Sequence, residues 1–109
     1  MQSRSEPSPR HVDQEIKDRR NAKQQMKDER KALWDNCCAY CGIRPHLRYL
    51  TIDHVIPRSQ MHREFADMPS NLVPSCEKCN SEKGCKDAFN WYRRQKFYTA
   101  ERWAKIKNT

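Results

Sequence analysis

A chain of 109 residues with 36% apolar residues is one domain's length and has little material for a core. No apolar run approaches membrane-spanning length, and the first ten residues, rich in Ser, Pro and Arg, lack the apolar stretch of a secretory signal. The net charge of +8 is unevenly placed. Residues 10–31 carry eight Lys/Arg against five Asp/Glu, residues 32–80 carry five of each, and residues 81–109 carry eight against three. Two basic arms around a neutral centre fit a polyanion that both arms grip.

Residues 1–10 read as a disordered tail, and residues 11–35, free of Gly and Pro, as a basic helix. Its apolar stripe is thin (Val12, Ile16, Met26, Leu33, Trp34), so a largely solvated helix is expected, docked by its C-terminal end and serving either as a DNA-tracking arm or simply as charged surface. Cys38-Ala-Tyr-Cys41 before Gly42 predicts a tight knuckle, with Gly42 at positive φ. Residues 49–52 have strand composition, residues 61–70 read as a polar loop, and Asn71-Leu72-Val73 as a second short strand ended by Pro74. A second knuckle, Cys76-Glu-Lys-Cys79, opens a helix over about 79–86. A further helix is expected over about 87–96, and a last one behind Thr99 as N-cap. Phe89, Trp91 and Trp103 are expected in the core. The fold class is small α+β with a core at residues 36–86, a long N-terminal helix, and basic, aromatic C-terminal helices at 87–109.

Four thiols spaced as Cys38, Cys41, Cys76 and Cys79 can close a tetrahedral Zn²⁺ site, a staple that so small a core needs. A reducing cytoplasmic, non-secreted location favours thiolates on metal over disulfides. Cys37 adjoins the first knuckle, but the x₂ spacing selects Cys38; Cys85 reads as a spectator thiol. A structural zinc has no use for Asp53, His54 and Asn80. A carboxylate, an imidazole and an amide beside it point to a second, oxygen-rich metal site next to a histidine base, and so to a nuclease.

Taken together, Cys38–x₂–Cys41, Ile52-Asp53-His54-Val55-Ile56-Pro57, Asn71-Leu72-Val73-Pro74 and Cys76–x₂–Cys79-Asn80 with Lys83 resemble the zinc-binding HNH endonucleases of the ββα-metal group, including small phage and bacterial homing-type proteins. The resemblance implies a strand–loop–strand–helix core in which Asp53 is a metal ligand, His54 the general base, and Asn71 a brace that orients the base. It implies Asn80 as a second ligand through its amide oxygen and Lys83 as a phosphate contact one turn on. One carboxylate and one amide oxygen suit Mg²⁺ or Mn²⁺ better than zinc. The partner implied is double-stranded DNA, cut by a monomer or homodimer, with no membrane involved. Where many relatives carry Gly-Gly, this loop reads Arg58 to Arg63, and Arg58, His62 and Arg63 are expected on the DNA backbone, with Arg93 and Arg94 tracking a strand. The competing readings are a non-catalytic zinc-ribbon nucleic-acid binder, which leaves Asp53, His54, Asn80 and Lys83 unexplained, and a disulfide-stapled secreted protein.

Overall fold

The computed structural model describes residues 8–108, with side chains described from Glu15 onward. The expected tail therefore lies outside the described residues at 1–7. Helix α1 spans Ser8–Ala32. It starts before residue 11 because Pro9 falls in the first turn, where its missing N–H has no partner to lose. It ends three residues before Asp35 because Asp35 and Asn36 take left-handed conformations, with φ of 54° and 58°; Asp and Asn are among the non-glycine residues that enter this region most readily. No helix among the described residues is long and apolar enough to cross a membrane.

Strands β1 (Leu50–His54) and β2 (Leu72–Cys76) form a two-stranded antiparallel sheet, with Leu50 opposite Cys76 and His54 opposite Leu72. Strand β2 runs through Pro74 instead of stopping there. The Pro74 carbonyl accepts from Ala39 N–H at 2.9 Å. A strand residue's N and C=O face the same side, so the proline nitrogen lies on the outer edge, where β1 needs no donor. The connecting segment expected as a loop contains a short helix, α2 (Arg63–Ala66), capped by His62 Nδ1, which accepts from Glu64 N–H at 3.3 Å. Helix α3 (Glu77–Lys83) starts two residues before its expected position, with Cys76 as N-cap, and packs across both strands.

Helix α4 (Ala88–Tyr92), shorter than expected, is capped by Asp87, and α5 (Ala100–Asn108) follows Thr99, whose Oγ1 accepts from Arg102 N–H at 3.1 Å. These helices complete the core behind the first knuckle. Tyr40 meets Trp91 edge-on at 5.3 Å and Tyr92 at 5.5 Å, while Trp34 and Ile106 close the cluster. Trp91 is buried as expected and Trp103 is half-buried. Phe89, by contrast, is exposed, lying 4.9 Å from the Trp103 ring on the outer surface. Arg102 seats its guanidinium against Gly42, where a Cβ would stand 2.5 Å from a terminal nitrogen. With φ of +81° as well, position 42 excludes any other residue without rearrangement.

Candidate metal and active site

The knuckles come together at one end of the sheet. Cys38 and Cys41 flank a turn closed by Cys38 N–H to Ile43 O (2.8 Å) and Gly42 N–H to Cys38 O (3.0 Å). Cys76 and Cys79 stand at the N-terminus of α3, three residues apart and therefore on one face. The four sulfurs lie within 4.8 Å of one another, and Cys41 Sγ is 3.8 Å from Cys76 Sγ. Four thiolates at ~2.3 Å from a tetrahedral zinc stand roughly 3.8 Å apart. The set fits a metal of that kind. A hydrogen bond from Cys79 and several from backbone amides lower the Cys38 thiol to about 5. Desolvation raises Cys41 to about 11, and the bond with Cys38 pushes Cys79 upward. Four thiolates packed this closely need a cation among them. Cys37 stays outside the cluster with its thiol on Asp35 O (3.5 Å), and Cys85 is exposed.

Asp53 and His54, at the end of β1, sit in different surroundings. Residues two apart on β1 (Thr51, Asp53) face residues three apart on α3 (Asn80, Lys83). Asn80 Nδ2 donates to Thr51 Oγ1 at 3.1 Å, and Lys83 Nζ lies 3.1 Å from Asp53 Oδ2 and donates to His54 O at 2.9 Å. Lys83 is only 1% exposed, so the lysine expected on phosphate is a buried partner of Asp53. Its inward position follows from the helix face it occupies.

Tyr40, fully buried, donates its hydroxyl to Asp53 Oδ2 at 2.7 Å. Burial and the nearby Asp53 carboxylate push its ionisation well above the ordinary range, so it stays a donor. Both partners converge on one carboxylate oxygen, and Oδ1 has no hydrogen-bond partner among the described residues. Asn80 Oδ1 is likewise without a protein donor. Each is a hard oxygen donor of the kind Mg²⁺ or Mn²⁺ takes and a thiophilic ion does not. Tyr40→Phe is expected to cost about 1.5–3 kcal/mol, the range for a hydrogen bond to a charged group, read as a lower urea midpoint.

His54 faces a cleft of about 320 Å³ lined by Asp53, Pro57, Arg58, Ser59, Lys83, Gly84 and Cys85. Its Nε2 is 2.9 Å from Asp67 Oδ1, while Nδ1 has no hydrogen-bond partner among the described residues. Asn71 is buried and uses its whole amide: Oδ1 accepts from Ile56 N–H (2.9 Å), and Nδ2 donates to Ile56 O (3.0 Å) and Ala66 O (2.9 Å). These bonds tie Ile56 to Ala66, and none among the described residues runs from the Asn71 side chain to the His54 ring. Arg58 is bound to Asp67 at 2.9 Å; Arg63, Arg93 and Arg94 are exposed. Tyr40 and Asp67 carry no signal in the sequence reading. Tyr40 lies between two cysteines and Asp67 in a polar stretch, and only the fold brings them to Asp53 and His54.

The model of the family described as HNH endonuclease matches residues 38–86. The prophage SPbeta protein YoqL of Bacillus subtilis (strain 168), itself named as an HNH endonuclease, is 31% identical over 83 residues, covering 71% of this chain and 36% of YoqL. Protein ea31 of Escherichia phage lambda is 46% identical over 48 residues, covering 43% of this chain and 15% of that protein. The CRISPR-associated endonuclease Cas9 of Corynebacterium diphtheriae is 34% identical over 79 residues, covering 65% of this chain and 7% of Cas9. The chain thus spans little more than a third of the longest-covered of these relatives. The stretch from the first knuckle to the end of α3 and just beyond belongs to the HNH endonuclease family.

Proposed function

We propose that the chain is a DNA endonuclease that hydrolyses phosphodiester bonds with one divalent metal ion and His54 as general base. One observation carries this reading. Asp53 is buried and anchored through a single oxygen, while its neighbour His54 lines the cleft with no hydrogen bond to Nδ1 among the described residues. A metal ligand and a base need those two opposite environments.

Asp53 Oδ1 and Asn80 Oδ1 would hold Mg²⁺ or Mn²⁺, which supplies stabilisation of the charge developing on the phosphate and the leaving oxygen. Tyr40 and Lys83, both on Oδ2, hold the Asp53 carboxylate in place. His54 accepts the proton of the attacking water at Nδ1. In-line attack with loss of the 3′ oxygen leaves 5′-phosphate and 3′-hydroxyl ends. Arg63, Arg93 and Arg94, exposed and unlike Arg58 not paired with Asp67, are the proposed backbone contacts. Cys38, Cys41, Cys76 and Cys79 would hold Zn²⁺ as a purely structural ion. One site cuts one strand, so a monomer nicks and a two-fold dimer makes a double-strand break. The prophage and phage origins of YoqL and ea31 support a role in phage or mobile-element DNA, with homing as the finer reading.

Supercoiled plasmid incubated with the protein in Mg²⁺ or Mn²⁺ is expected to relax, EDTA to prevent it, and DNA ligase to reseal the nicks without end repair. Nicks that ligase cannot reseal would contradict the chemistry; intact plasmid in both metals would favour the zinc-ribbon binder.

A further inference from the structure

The His54 ring is held by a carboxylate that the metal ligands and the base do not account for. Asp67 divides its two oxygens between His54 Nε2 and an Arg58 terminal nitrogen, each at 2.9 Å. We propose that Asp67, braced by Arg58, is the positioning residue of the base, fixing the His54 ring with its proton on Nε2 and the lone pair of Nδ1 open to the cleft. This rests on the reading of His54 as general base.

An ionised carboxylate only accepts hydrogen bonds, so the ring nitrogen facing it must carry the hydrogen. In a neutral imidazole the other nitrogen is then the acceptor. Asp67 is held below the usual carboxylate range, first by the His54 hydrogen bond and then by Arg58, which keeps it an acceptor. Arg58 fixes the second oxygen, so the carboxylate cannot rotate without losing an ion pair.

The backbone around Asp67 is fixed as well. The Asp67 N–H donates to Arg63 O and Phe65 O at the end of α2, and the preceding carbonyl, Ala66 O, is clamped by Asn71 Nδ2. Asn71 therefore acts on the base at one remove, through the residue beside Asp67. Exposed ion pairs of this kind add little to stability, so the effect on His54 is the one to measure.

The test compares wild type, Asp67→Ala and His54→Ala on supercoiled plasmid, alongside ¹⁵N NMR of the His54 ring in wild type and Asp67→Ala. The spectra are taken at about pH 8.5, well above the ordinary histidine range. Asp67→Ala is expected to lower kcat roughly 10- to 100-fold, the usual effect of losing such a supporting partner, with KM for DNA unchanged. Its ring spectrum should change from the Nε2–H form to a mixture of tautomers. Wild-type kcat or a wild-type tautomer in Asp67→Ala overturns the proposal. If His54→Ala cuts like wild type, the base assignment fails instead, and the two failures are distinct.

Discussion

Cys38→Ser is expected to leave a chain with no cooperative melting transition and no stoichiometric thiolate-bound metal. The hydrophobic cluster is small, and three of its members, Cys38, Cys76 and Cys79, belong to the four-cysteine cluster that could hold a metal. The first knuckle meets the second through the sulfurs, beside the Ala39–Pro74 backbone bond, while Tyr40 packs on Trp91 and Tyr92. Structural zinc contributes about 10–16 kcal/mol in small thiolate domains, whereas a whole domain is stable by about 5–15 kcal/mol. Losing the ion therefore removes as much free energy as the fold has, and losing one of four ligands removes a large share of it. Circular dichroism melting with metal analysis by plasma mass spectrometry checks it, with Cys37→Ser as the control that should match wild type, since Cys37 lies outside the cluster. A Cys38→Ser protein that melts like wild type would place the staple elsewhere.

Lys83→Met is expected to destabilise the protein by about 3–5 kcal/mol, the cost of removing one partner of a buried ion pair. The Lys83 and Asp53 side chains are 1% and 8% exposed, and the lysine also donates to the His54 carbonyl. Methionine fills the volume but leaves Asp53 with Tyr40 as its one remaining partner among the described residues. Because a divalent ion at Asp53 would replace the lost charge, the loss should shrink when Mn²⁺ is added. Urea denaturation with and without Mn²⁺, with the thiolate metal present throughout, reads both effects. A surface lysine waiting for phosphate would give a change near zero in either condition.

The parts of this molecule legible in its sequence are those where one residue type has one use at one spacing. The Cys–x₂–Cys pairs located the four-cysteine cluster because two thiol pairs of this spacing are the usual frame of a tetrahedral site. Asp-His followed by Asn-Leu-Val-Pro placed the hairpin, and Thr99 and Gly42 announced a cap and a turn. What was not legible depends on facing elements. Lys83 has the same one-letter code on either face of α3; only the strand opposite makes it a partner of Asp53. Arg58 looked free because Asp67, nine residues on, comes back beside it only when α2 folds. Phe89 was expected in the core on hydrophobicity, but it lies on the outer side of α4, where Arg93 stands 5.5 Å over its ring. Pro74 reads as a strand end in the sequence, which does not say which edge of β2 faces away from β1.

The most direct test of the catalytic claim is nicking of supercoiled plasmid by wild type and His54→Ala side by side, at equal metal content in the cysteine cluster. Wild-type relaxation in Mg²⁺ or Mn²⁺ with at least a hundredfold slower relaxation by His54→Ala is predicted, since general acid–base catalysis is worth about 10²–10⁴-fold. Equal cutting by the two proteins would contradict the mechanism.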